Sequence, residues 1–239
     1  MPVPTPELAL RLPDLPRLVE TRAMLLSGAC EVVGDTARGD YVVRSLENPL
    51  AAIVGRPAAA AVREAAARGG PVELLCGEDA VEGTVAALPG WCASPAAVHV
   101  LETQSPALAR AAADVRLVGA EEPLFLSHLP GPLRQELAAA RRRSPFAVAF
   151  DHDRAVSFAY APWQTEALFD MSIDTLDGHR RRGLGAATAG LLIQHVLALG
   201  KRPVWGALED NVASLRLAAR LGFVPVDRIF VLSHEEDAE

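Results

Sequence analysis

Residues 172–185 read SIDTLDGHRRRGLG. The segment begins inside an alternation in which Glu166, Asp170, Ser172 and Asp174 stand on one side and Ala167, Phe169, Met171 and Ile173 between them. That is the period of a strand with one polar and one apolar face. It ends in Arg180-Arg-Arg-Gly183-Leu-Gly185, directly before AATAGLLIQHVLALG (186–200), a long apolar run whose closing Gly200 reads as a helix stop. A strand-to-helix turn exposes the backbone N–H groups of the helix start, and these bind anions. Glycines at 183 and 185 remove β-carbons that would hold a pyrophosphate off the backbone, and arginines add charge-assisted bonds to its oxygens. Taken alone, the same residues also fit a tight turn with a solvated basic patch, so the neighbouring segments decide.

Upstream, FAVAFD (146–151), RAVSFAYAPWQ (154–164) and EALFDMSIDTL (166–176) read as three strands of an antiparallel meander. Downstream, RPVWGALE (202–209) is a strand, and Asn211 caps the helix VASLRLAARLG (212–222). VPVDRIFVLS (224–233) is a last strand before the acidic tail HEEDAE, which is expected to be solvated. No GK[ST] follows the glycines, which excludes a Walker loop. A dinucleotide fingerprint needs a third glycine where Thr188 stands and a parallel start in place of the meander.

Arg180-x-x-Gly183-x-Gly185 resembles the R/Q-x-x-G-x-G/A acyl-CoA loop of the GNAT N-acetyltransferases. Asn211-x-x-Ser214-x-x-Leu217 is similar to the family's N-x-x-A/S-x-x-L helix, and Arg220-Leu-Gly-Phe223 to its K/R-x-G-F ending. The likeness covers about the last 130 residues and is nearest to a bacterial subgroup with an extra N-terminal domain. It implies that the backbone of Ile173, Asp174 and Thr175 pairs with the pantetheine arm and holds the acyl carbonyl. Arg180, Arg181, Arg182, Gly183, Leu184, Gly185 and Ala186 would wrap the pyrophosphate, while Asn211 and Ser214 would touch the pantetheine or phosphate end. Asn211 reads equally as a plain helix cap. Acetyl-CoA is the implied donor and an amine-bearing molecule the acceptor, with the cofactor admitted between the splayed fourth and fifth strands, here SIDT and PVWGALE. The rival reading is a noncatalytic acyl-CoA-binding or interaction module on the same scaffold.

Direct transfer needs a neutral amine, and a lysine-like amine has an unperturbed pKa of about 10.4. A positioned base therefore helps, and Glu166, Asp170, Ser172 and Glu209 are the candidates, Glu166 lying near the family's usual glutamate. Relatives often carry a tyrosine acid after the helix leucine, where this chain has Ala218. Its loss is tolerable, because a thiol pKa of about 8.5 leaves only ~1.5 units, about 2 kcal/mol, for an acid to recover. Ser214, Tyr160 or a water can serve instead.

The first half echoes the second. PVELLCGEDAVEGTVAALPGW (71–91) aligns without gaps on PVWGALEDNVASLRLAARLGF (203–223), with Pro, Val, two Ala and Gly coinciding. The echo places a strand at NPLAAIVG (48–55), a helix at AAAAVREAAAR (58–68), a strand at PVELLCG (71–77) and a helix ending near Gly90. Its counterpart of the phosphate loop, Gly55-Arg-Pro57, has no second glycine and should bind CoA poorly. The expected architecture is α/β, with an N-terminal domain over 1–105 that is a degenerate GNAT-like copy and a mixed-sheet GNAT domain over 106–239. The boundary lies around 103–115, and the first domain shapes the acceptor pocket or mediates homodimer formation.

Composition limits the alternatives. In 239 residues with a formal charge of −7, nonspecific nucleic-acid binding is disfavoured. Half the residues are hydrophobic, yet no apolar run approaches the roughly 20 residues of a membrane helix. The start, MPVPTPELALRLPDLPRLVE, lacks a basic and then apolar secretory pattern, so a cytoplasmic location is expected. Cys30, Cys76 and Cys92 have no CxxC spacing and are read as buried thiols, and His99, His152 and His195 have no metal-binding spacing. No metal is expected. His179 reads as a solvated loop residue.

Overall fold

The computed structural model describes residues 5–102 and 114–235. The 103–113 part of the expected boundary, and residues 236–239 of the acidic tail, lie outside them. The chain begins with helices α1 (Thr5–Arg11) and α2 (Val19–Ser27), then strands β1 (Cys30–Asp35), β2 (Asp40–Ser45) and β3 (Leu50–Val54). Helix α3 (Ala59–Ala67), β4 (Glu73–Cys76), α4 (Glu78–Ala87) and β5 (Trp91–Leu101) follow. The second half holds β6 (Val115–Val118), α5 (Gly131–Arg141), β7 (Phe146–Asp151), β8 (Arg154–Tyr160), β9 (Leu168–Asp170) and β10 (Ser172–Thr175). It closes with α6 (Leu184–Ala198), β11 (Arg202–Leu208), α7 (Val212–Leu221) and β12 (Phe223–His234).

Two compact units emerge. The first comprises the chain up to Val98, Ala207–Asn211 and everything from Val226 onward. Its mixed sheet runs β1-β2-β3-β4-β12-β5. β1 to β3 are antiparallel, β3 and β4 parallel, and β12 antiparallel to β4 with Phe230 opposite Cys76. Small alanines on α3 let that helix lie close to the sheet, so Ala61, Val62 and Ala65 join Val42, Ala51, Ile53, Leu74 and Cys76 in one core. The echo therefore holds at the level of elements: β4-α4-β5 repeats as β11-α7-β12. The sequence reading found β3, α3, β4 and α4 but not α1, α2, β1 or β2.

The second unit comprises His99–Gly206 and Val212–Pro225. β6, β7, β8 and β10 form an antiparallel sheet, which contains the predicted meander. α6 packs against β6, β7, β8 and β10. Phe146, Phe158, Tyr160 and Leu137 fill a core beside α5. The single strand expected over 166–176 is instead two, broken at Met171. Among the described residues no helix is long and apolar enough to cross a membrane. Cys30 and Cys76 are buried as expected, but Cys92 is exposed.

Candidate acyl-CoA site

The break at Met171 creates the opening. β9 pairs in parallel with β11, Arg202 opposite Leu168 and Val204 opposite Asp170. Met171 N–H donates to Val204 C=O at 3.0 Å. From Ser172 the strand changes partner and pairs antiparallel with β8, Ser172 opposite Tyr160 and Thr175 opposite Ser157. The second edge of β10 has no strand paired to it among the described residues. An unpaired edge offers N–H and C=O groups to any extended amide chain laid beside it. Ile173, Asp174 and Thr175, expected to hold the pantetheine, occupy this edge and are half-buried.

At the end of β10 the chain makes a short turn over Asp177–His179 and enters α6. Gly183 precedes the helix with φ +79 and no side-chain cap. The first i→i−4 bond is Ala187 N–H to Gly183 C=O at 3.1 Å, so the N–H groups of Leu184, Gly185 and Ala186 have no partner within the helix. The two glycines serve different ends. Gly183 needs the left-handed backbone and has open space around it. Gly185 has no room: a β-carbon there would lie 3.3 Å from Thr175 Oγ1, 3.4 Å from Ile173 Cγ2 and 3.7 Å from Leu217 Cδ2. Its missing side chain brings the helix start against β10.

The three arginines diverge. Arg180 donates from Nε to Thr175 C=O at 3.1 Å and pairs with Asp177. Arg181 is exposed, with φ 61, an uncommon backbone for a residue with a β-carbon. Arg182 bonds Asp151 at 3.1 Å and lies 3.0 Å from His179 Nδ1. Hydrogen bonding by Arg182 holds the Asp151 carboxyl below its ordinary range. His179, expected to be a solvated loop residue, is 22% exposed and 3.2 Å from Asp151. No local signal in the sequence linked Asp151 to the loop, because they are 31 residues apart.

The remaining expected residues are dispersed. Ser214, in the second unit, accepts the indole N–H of buried Trp205 at 2.9 Å. Trp205 also stacks edgewise on Phe223 at 5.3 Å. Asn211 immediately precedes α7 and belongs to the first unit, as does Glu209, whose carboxylate pairs with Arg228. Glu166 is exposed in the turn before β9 rather than on a strand. Asp170, read as part of a polar strand face, is buried at 8% exposure. Ala218 is fully buried, so the position that carries tyrosine in many relatives faces the core here. Among the described residues no three His, Cys, Asp or Glu side chains gather as a metal site.

Residues 146–229 match the family model described as GNAT acetyltransferase. Comparison with curated proteins gives no match. The chain is similar to a GCN5-related N-acetyltransferase-like protein from Streptococcus suis, with 18% identity, TM-score 0.70 and coverage of 95% of this chain and 98% of that one. It is also similar to a putative GNAT-family acetyltransferase from Novosphingobium aromaticivorans, with 19% identity, TM-score 0.58 and coverage of 84% and 93%. A tandem GNAT protein from the clavulanic acid biosynthesis pathway gives 16% identity, TM-score 0.51 and coverage of 82% and 78%. The chain thus has a GNAT-like fold, its second half matches the GNAT acetyltransferase model, and the tandem neighbour fits a second α/β domain at the N-terminus.

Proposed function

We propose that the second half, 106–239, transfers an acetyl group from acetyl-CoA to a primary amine of an acceptor, in the cytoplasm. The carrying observation is the unpaired edge of β10 leading directly into the uncapped N-terminus of α6. A pantetheine arm presents amides to the first, and a pyrophosphate presents charge to the second. Arg180, Arg181 and Arg182 supply cations, two of them already pairing with exchangeable surface carboxylates. Glu166 and Ser214 are the base and acid that the sequence suggests, with Asn211 and Ser214 toward the cofactor. The first domain, 1–105, serves the acceptor side or a homodimer contact. No nucleic acid or membrane enters this scheme.

Calorimetric titration of acetyl-CoA into the wild type and a Gly183→Glu, Gly185→Glu double variant tests the site. Carboxylates at the helix N-terminus would fill and repel the pyrophosphate position. Binding by the wild type, lost in a variant whose circular dichroism is unchanged, is the expected result, followed by CoA release when an amine is supplied. A wild type that does not bind acetyl-CoA refutes the donor. One that binds without ever releasing CoA is a binding module, the rival that Ala218 in place of the tyrosine motivates.

A further inference from the structure

Two residues other than glycine have a positive φ among the described ones, His152 at 54 and Arg181 at 61. They adjoin the two ends of one ion pair. His152 follows Asp151, Arg181 precedes Arg182, and Arg182 Nη1 donates to Asp151 Oδ2 at 3.1 Å. That backbone region is unfavourable for a residue with a β-carbon, which stays there only when its surroundings fix it. The same Oδ2 lies 3.2 Å from His179 Nδ1, itself 3.0 Å from Arg182 Nη1. One carboxylate oxygen thus meets side chains from either side of Arg180 and Arg181.

The β7–β8 hairpin aims Asp151 at this loop. The chain turns through His152 and Asp153, with Asp151 opposite Arg154 and Phe150 opposite Ala155. Ala149 then faces Ser157, so β8 carries one extra residue, Val156. A bulge of this kind increases the local twist and re-aims the side chains beside it. Val156 C=O also accepts the Leu176 N–H at 3.0 Å, which ties the hairpin through the backbone to the start of the strand-to-helix turn. Of the three arginines, Arg180 is bound to Thr175 C=O and Arg182 to Asp151, while Arg181 is exposed.

We propose that Asp151 is a positioning residue for the phosphate loop. By holding the side chains of His179 and Arg182 it fixes the turn that delivers Gly183 and the free N–H groups of Leu184, Gly185 and Ala186 to the ligand. This deepens the acetyl-CoA reading and rests on it. A pyrophosphate then meets a turn already in place, and less ordering has to be imposed on binding. Asp151 acts through the turn and not by contact with the cofactor. A carboxylate near a pyrophosphate also repels it, so the two effects oppose each other. The unfavourable backbone at both ends of the ion pair decides for anchoring, because a carboxylate that only shielded Arg182 would not require it.

Three measurements on the full chain separate this from the parent reading. By NMR without ligand, the His179 and Ala187 amides, hydrogen-bonded at 2.8 and 3.1 Å, should exchange about fivefold faster in Asp151→Ala, the scale of a surface ion pair. Unchanged exchange overturns the proposal whether or not the chain binds acetyl-CoA. Calorimetry should give the variant about fivefold weaker acetyl-CoA binding. An NMR titration with S-acetylpantetheine, which lacks the pyrophosphate, should give the same affinity in both proteins. Equal weakening of both ligands makes Asp151 a merely structural residue and overturns its role at the loop. Tighter acetyl-CoA binding makes it a competitor for Arg182 and does the same. Asp177→Ala removes an exposed partner of Arg180 but leaves its bond to Thr175 C=O, and should match the wild type throughout. The same loss there assigns the effect to surface charge and overturns the proposal. A wild type that binds no acetyl-CoA defeats the acetyl-transfer reading and this role with it. A wild type that binds beside an unchanged Asp151→Ala defeats only the role.

Discussion

The two halves run through one order of elements, β1-β2-β3-α3-β4-α4-β5 and β7-β8-β9/β10-α6-β11-α7-β12, but they treat their third strand differently. In the first half a single strand pairs on both sides at the same residues: Ala51 faces Arg44 and Leu74, and Ala52 faces Val43 and Leu75. Just beyond the paired residues Ile53 and Cys76 are buried in one core, 6% and 3% exposed. In the second half the strand breaks at Met171 and gives each neighbour a different segment. The following turns differ in the same sense. In Gly55-Arg-Pro57, the Arg56 N–H is taken by Asp40 Oδ1 at 2.7 Å, and Pro57 has no N–H to offer. The chain's own carboxylate thus occupies the turn ahead of α3, while the helix start at Ala58 has no side-chain cap, like that of α6. The same order of elements thus carries a continuous third strand in one half and a divided one in the other.

The comparison breaks most readily at Gly185. Gly185→Val places methyls against Thr175 and Ile173 and should cost about 2–3 kcal/mol of acetyl-CoA affinity, about 100-fold by calorimetry. Unchanged affinity would show that the close approach of α6 to β10 is unimportant. Gly55→Ala is the opposite case. Its φ is +63 and a β-carbon would lie 2.4 Å from Asp40 Oδ1 and Gly39 C=O. It should cost roughly 2–3 kcal/mol in urea unfolding with acetyl-CoA affinity intact. An equal loss of affinity would mean that the first half takes part in holding the cofactor.

Asp40→Ala sharpens the point with a smaller effect. Removing the hydrogen bond to Arg56 should destabilise by about 1 kcal/mol and leave the stoichiometry at one acetyl-CoA per chain. A second equivalent bound would show that the first turn is only masked, not lost. The weakest effect is alkaline. Burial raises Cys30 to about 11 and Cys76 to about 12 from ordinary values of 9.0. An acid with a raised folded pKa contributes fully below its unfolded value and loses that contribution as pH rises toward the folded one. Denaturant stability should therefore decline between those values, and Cys76→Ala should flatten the decline. Below that window iodoacetamide should label Cys92 and spare Cys76. Ready labelling of Cys76 would contradict a filled first-half sheet.

Much of this was legible along the chain. The glycine loop, the helix after it, the meander and the β4-α4-β5 echo are all local, set by periodicity and by glycine spacing within one or two elements. Gly183 stands out in the sequence by its spacing to Gly185, and the structure adds its left-handed backbone. Other features depend on which strand lies beside which, and periodicity carries no such information. The break at Met171 was invisible because side-chain alternation continues through it while only the hydrogen-bonding partner changes. Arg182 with Asp151, Arg56 with Asp40, and Tyr160 with Asp174 and Glu136 join residues 14 to 31 positions apart, and no local pattern marks these meetings.

By itself, then, the sequence determined the class of fold, the glycine turn before α6 and the order of elements repeated in the two halves, because backbone conformation and binary pattern are written locally. Only the tertiary structure decided where the sheet opens and which carboxylates satisfy the turns. Those outcomes follow from strand pairing and burial, which bring distant residues to within a hydrogen bond of one another.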